Sequence, residues 1–170
     1  MSSTSGSDNI STAMPKPEAS ALFKYPPIGL HIDGEWIYDR PSCYEVRNPS
    51  DETVLGPVPS ASDEDLARAL AAAERGFKVW RDTAPADRVK LLQKATALLR
   101  ERAETIGRII TLEQGKIFAD GRGEVERAST FLDWDTAQSL RTYGTVMPSE
   151  PQMQRIVLRQ PIGPVAAFTP

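Results

Sequence analysis

At Ser62 the spacing of apolar residues changes from two to between three and four, which divides the chain into a part that pairs strands and a part that packs helices. Upstream, Leu30 and Ile32 are followed by Asp33-Gly34 and then by Trp36 and Tyr38. Asp-Gly between alternating apolar residues supplies the two positive φ angles of a tight turn, so a hairpin is predicted there. A second extended piece, Cys43 to Val46, runs into turn chemistry at Asn48-Pro49 and Ser50-Asp51. Thr53-Val54-Leu55 follows, ahead of Gly56-Pro57. Residues 29–59 read as a small antiparallel β unit.

From Ser62 onward Leu66, Ala69, Leu70, Ala73, Phe77 and Trp80 recur at helical spacing. Ser62 with Asp65 three residues on has the form of a capping box, and Asp63 and Glu64 suit the positive end of the helix dipole. Pro85 suits a first helical turn, and Val89, Leu92, Ala95, Leu98 and Leu99 mark the next buried stripe. A third stripe, Ile106, Ile109, Ile110 and Leu112, stops at Gly115, placed for a left-handed cap. A fourth helix is expected from about Ala119 to Tyr143, buried through Val125, Ala128, Phe131, Leu132 and Leu140 and ended by Gly144. Trp80 and Trp134 read as core anchors. Residues 62–144 are thus a four-helix layer.

Beyond Gly144 the chain is expected to be extended over residues 154–160, with Ile156-Val157-Leu158 between two arginines, then to turn at Gln160-Pro161-Ile162-Gly163. Residues 164–170 contain Val165-Ala166-Ala167-Phe168, an apolar run without alternation, as in a strand covered on both faces of a parallel sheet. Such a strand needs neighbours on both sides, and the sequence ends directly after it. The expectation is therefore an α/β chain that is cut rather than finished.

Composition narrows the function. Lys plus Arg number 20 against 23 Asp plus Glu, a net charge of −3 with the signs interleaved, so nucleic-acid binding is not expected. One Cys excludes an internal disulfide and fits a reducing compartment, so a cytoplasmic location is expected. No stretch approaches the roughly 20 apolar residues of a membrane span, and the first residues lack the basic and apolar regions of a secretory signal. Residues 1–20 hold 6 Ser, 2 Thr and 2 Pro but little to bury, and read as a disordered tail.

The inventory for catalysis is sparse. Cys43 is expected as a half-buried strand thiol and His31, the single histidine, as a rim side chain, with no reason to pair them. Gly121-Arg122-Gly123-Glu124 follows a helix stop rather than a strand and reads as a helix start, not a phosphate loop. Arg100-Glu101-Arg102 and Glu124-Val125-Glu126-Arg127 read as solvated faces.

Several words, in their order and spacing, resemble the NAD(P)-dependent aldehyde dehydrogenases. They are Ile32-Asp33-Gly34-Glu35-Trp36, Arg47-Asn48-Pro49, Thr111-Leu112-Glu113-Gln114-Gly115-Lys116, Gly123-Glu124-Val125, Phe131-Leu132-Asp133-Trp134 and the run Gln160 to Pro170. Leu-Glu-Gln-Gly-Lys with the Phe-x-x-Trp helix and Tyr143-Gly144 is most similar to the succinate-semialdehyde dehydrogenase branch. The resemblance implies that residues 21–170 are the N-terminal part of the cofactor-binding domain, with 164–170 as the first strand of its Rossmann-like sheet and 154–160 as a segment of an oligomerisation sheet. It implies a homo-oligomer, a small aldehyde as substrate, and NAD or NADP as cofactor.

Phe168, Thr169 and Pro170 would then be backbone lying along the dinucleotide. The carbonyls of Val46 and Arg47 with the carboxylate of Glu113 would match a monovalent cation site found in several family members, while Glu113 could equally cap or pair locally near a helix end. The long helix carrying Glu124, Ala128 and Phe131 would flank the substrate tunnel. In the family a Cys thiolate attacks the aldehyde, the thiohemiacetal passes hydride to NAD(P)+, and a Glu activates the water that releases the acid. None of those groups, nor the oxyanion Asn of a following Trp-Asn word, is matched by a residue of this chain, and Cys43 does not match the nucleophile. The chain alone is expected to be inactive. The other reading is a non-catalytic assembly or interaction module whose helices and Arg155–Arg159 segment pair with partner chains.

Overall fold

The computed structural model describes residues 23–169, so the tail read at residues 1–20 and the terminal Pro170 lie outside the described residues. Strands β1 (Leu30–Ile32) and β2 (Glu35–Ile37) form the first hairpin, with Leu30 opposite Ile37 and Ile32 opposite Glu35. Asp33 and Gly34 take φ of 55° and 85°, the turn that the Asp-Gly pair predicts. Strands β3 (Cys43–Arg47) and β4 (Val54–Pro59) pair antiparallel as a separate two-stranded sheet. Their register breaks between Val46 and Arg47, which face Gly56 and Val54, so Leu55 is the extra residue of a bulge. Gly56 and Pro57, read as the end of this strand, lie inside it. The sheet has only two strands, so both are edges, where Pro is tolerated.

Helix α1 (Asp63–Asp82) starts with the capping box read from Ser62 and Asp65. Helix α2 (Pro85–Glu101) has Pro in its first turn, and α3 (Ala103–Gln114) ends at Gly115 with φ 73°. Helix α4 (Phe118–Ser139) starts one residue earlier than read and ends four residues sooner. The hydroxyls of Ser139 and Thr142 bond back to the carbonyls of Thr136 and Ser139, at 2.7 and 3.2 Å, where the last turn unwinds. Strands β5 (Thr145–Met147) and β6 (Arg155–Val157) make a third antiparallel pair, so the extended segment has a partner that the sequence did not reveal.

The helices α3 and α4 cross at a pair of glycines. A methyl group at Gly121 would stand 2.8 Å from the Gly107 carbonyl oxygen, and one at Gly107 the same distance from the Arg122 nitrogen. The buried face of α4 is Gly121, Val125, Ser129 and Thr136, while α2 buries Val89 and Thr96. Small residues thus line the seam, and three of them turn a hydroxyl back onto their own helix: Thr96 to Leu92, Thr111 to Gly107 and Ser129 to Val125.

This corrects the expected core. Of the side chains assigned to the buried face of α4, only Val125 is buried; Ala128, Phe131, Leu132 and Leu140 are exposed, as are Trp134 and, on α1 and α2, Leu66, Leu70, Trp80 and Leu98. The physical reason is that helix faces of two kinds are present. The small-residue faces meet one another, and much of the bulky apolar surface is left uncovered by the described residues. Cys43, expected half-buried, is also exposed. Residues 164–169 form no strand, and Phe168 is 95% exposed. A strand exists only through the ladder it shares, and no described segment lies beside this one.

Candidate functional site

The best-organised junction of the molecule brings together two words read far apart in the sequence. Asn48 is buried and closes the β3–β4 loop: its Oδ1 accepts from the Ser50 N–H at 3.0 Å and the Ser50 hydroxyl at 2.9 Å. Its own N–H donates to the Thr53 carbonyl and its carbonyl accepts from the Glu52 N–H. Pro49 is thereby held against the end of α3, its Cγ 3.0 Å from where a Cβ on Gly115 would stand. Only glycine suits that position, for its left-handed φ and for the lack of room.

Glu113, in the last turn of α3, accepts a hydrogen bond from the Tyr25 hydroxyl, and the Tyr25 ring lies over Gly56 of β4. One phenol thus ties the segment before β1 to both the β3–β4 sheet and α3. Burial, then the bond to Glu113, raise the Tyr25 pKa far above the usual phenol range, so it stays a donor. Directly after Gly115, Lys116 Nζ meets Glu124 Oε1 at 2.5 Å, bridging the α3–α4 turn. The hydrogen bond from Lys116 holds the Glu124 carboxyl below its ordinary range.

The sequence-predicted cation groups fall at this junction. Val46 and Arg47 flank the bulge, where ladder bonding is interrupted, and Glu113 sits at the negative end of the α3 dipole, an environment suited to a cation. Among the described residues no group of three or more His, Cys, Asp or Glu could hold a metal ion, so a cation here would depend on main-chain oxygens. Glu113 is engaged instead by Tyr25, 88 residues away along the chain, which is neither a helix cap nor a local pair.

The predicted dinucleotide residues are not part of the junction. Phe168, with Val165 and Ile162 before it, is open to solvent, so the described residues alone do not enclose a dinucleotide. A separate open groove of about 500 Å³ lies among Arg100, Glu104, Arg122 and Glu126. Its charges are largely paired: Arg100 with Asp133, Glu104 with Arg108 and Arg122 with Glu126. Cys43 and His31 are both exposed and on separate sheets, and no nucleophile–base pair is formed by them.

The sequence missed Tyr25, the Lys116–Glu124 bridge and the clamp of Arg40 on Asp65. Arg40 donates to both carboxylate oxygens of Asp65, at 2.8 and 2.6 Å, while Asp65 also accepts from the Ser62 N–H. Only Asp65 carried a readable cue, through its capping spacing; its cation partner lies in the segment between β2 and β3.

Hairpins ahead of a helical layer, with the Asn48-Pro49 loop locked onto the end of α3, define a chain of the α/β class. The sequence pattern of the aldehyde dehydrogenase family matches residues 36–170, and the chain belongs to that family. It is 34% identical over 142 residues to glutarate-semialdehyde dehydrogenase of Pseudomonas aeruginosa, covering 82% of this chain and 29% of the relative. To the NADP(+) succinate-semialdehyde dehydrogenase of Escherichia coli it is 35% identical over 141 residues, with the same coverage of 82% and 29%. Other relatives are named for sulfonated compounds. Among solved structures, PnpE in complex with nicotinamide adenine dinucleotide superposes with a TM-score of 0.74 at 27% identity, over 81% of this chain and 28% of that one. The chain therefore spans about three tenths of the length of the proteins it matches.

Proposed function

We propose that this chain is the N-terminal portion of an enzyme that oxidises a small anionic aldehyde, of the succinate-semialdehyde type, to the acid with NAD or NADP. The observation that carries the reading is the contact between the Asn48-Pro49 loop and the Glu113–Lys116 turn, two family words joined at one point of the fold. The relatives named for succinate and glutarate semialdehyde support a carboxylate-bearing substrate, and those named for sulfonates support an anionic group more generally. Bound NAD or NADP would supply the hydride acceptor. Phe168, Thr169 and Pro170 are proposed to flank it once further strands complete a sheet, and Val46, Arg47 and Glu113 to hold a monovalent cation.

Among the described residues Cys43 is exposed and has no base beside it, and we expect the purified 170-residue polypeptide to produce no NADH or NADPH from succinate semialdehyde. Aldehyde-dependent reduction of the nucleotide by this polypeptide would overturn that expectation. The codons after Pro170 test the larger reading. Trp-Asn-Phe-Pro in frame supports the enzyme, whereas a stop codon favours the second reading, an assembly module, for which the observation is the fully exposed β5–β6 hairpin.

A further inference from the structure

The chain contains two Asp-Gly steps, Asp33-Gly34 and Asp120-Gly121, held in opposite ways. Asp120-Gly121 lies in the first turn of α4. The Gly121 N–H donates to the Ile117 carbonyl at 3.1 Å, and Gly121 is buried against Gly107. Asp33-Gly34 is the tip of the β1–β2 hairpin. Nothing stands within 4 Å of the position a Cβ would take at Gly34, and the Asp33 side chain is 56% exposed. A glycine amide without a side chain beside it is the amide most open to attack on the preceding carboxyl group. One restraint is present: Arg75 Nη2, from α1, is 2.7 Å from Asp33 Oδ2.

We propose that Asp33 is a site of spontaneous backbone modification, where isoaspartate forms through a succinimide, and that Arg75 restrains the reaction. The Gly34 nitrogen bonds to the Asp33 Cγ and gives up its proton, and one carboxyl oxygen departs as water with that proton and one from solvent, closing a five-membered ring. Water then reopens the ring. Addition at Cγ restores Asp33; addition at the main-chain carbonyl leaves the backbone running through the side-chain methylene. No oxidant or reductant is involved, and the water lost is balanced by the water gained. Because a carboxyl oxygen must leave, the ring closes only after the carboxyl has parted from the guanidinium. The extra backbone carbon spoils a two-residue turn, whose register buries Ile32 and Ile37.

A control lies in the same hairpin. Arg68 pairs with Glu35 at 3.1 Å and also fastens the hairpin to α1, without touching Asp33. The test incubates the 170-residue chain and its Arg75→Ala and Arg68→Ala variants at neutral pH and body temperature. Electron-transfer fragmentation of proteolytic peptides then reads the isoaspartyl fraction at positions 33 and 120. Expected are accumulation at 33 in excess of 120, a several-fold faster rise in Arg75→Ala, and a rate in Arg68→Ala equal to that of the parent. Equal fractions at 33 and 120 overturn the site. An unchanged rate in Arg75→Ala, or the same acceleration in Arg68→Ala, overturns the restraint.

Discussion

Asp65 shows how much one side chain can join. It caps α1 through Ser62 and receives both nitrogens of an Arg40 fork, so a single carboxylate fastens the helix start to the segment between the first two sheets. The Arg40 hydrogen bond, helped by the Ser62 N–H, holds its pKa well below the usual carboxylate range. A carboxyl depressed in the folded state contributes stability that is complete above its unfolded pKa and is lost as pH falls through that range toward the folded value. Asp65→Asn should therefore lower the urea midpoint at neutral pH, and the gap to the parent should shrink steadily as the pH is taken below the ordinary carboxylate range. Gly115 makes a second prediction at this scale. With its left-handed φ and Pro49 at 3.0 Å, Gly115→Ala is expected to cost about 2 kcal/mol, read from chemical denaturation.

At the scale of elements, starts and stops were legible wherever a residue has a geometric reason to be there. Ser62, Pro85 and Gly115 each mark a boundary that the fold respects, as does Asp33-Gly34 for the first turn. The end of α4 was not legible, because Leu140 and Tyr143 continue the apolar rhythm while hydroxyl-to-carbonyl bonds at Ser139 and Thr142 end the helix. Strand β5 escaped notice because it is three residues long and joins β6 through a Pro-containing loop with no tight-turn dipeptide. Burial was the least legible property. Periodicity reveals that a helix has an apolar face, not whether a partner covers it, and apart from Val125 the buried face of α4 is made of residues that no hydrophobic pattern selects. In the candidate site the two words were legible and Tyr25 was not, since nothing local links it to Glu113. The seam yields its own prediction: Gly121→Ala must displace the Gly107 carbonyl or tilt the helices, an overpacking expected to cost about 2 kcal/mol and to lower the thermal midpoint.

Taken whole, the described molecule shows more bulky apolar surface than it hides. Leu70, Val79, Phe131, Trp134, Val146 and Leu158 are all exposed, far beyond the scattered residues normal for a monomer. No described helix is long and apolar enough to cross a membrane, so lipid-spanning helices do not account for them. Sedimentation of the 170-residue chain should reveal association that grows with concentration, and a Phe131→Ser/Trp134→Ser double variant should weaken it. Beneath that surface the close crossing at Gly107 and Gly121, with Val125 and Ser129 sealed beside it, leaves no room for water between two backbones. Dissolved in deuterium oxide, the chain should surrender the amide protons of its hairpins within the earliest time points and keep those around Val125 longest, so that the last label to enter traces the line where two helices touch without side chains.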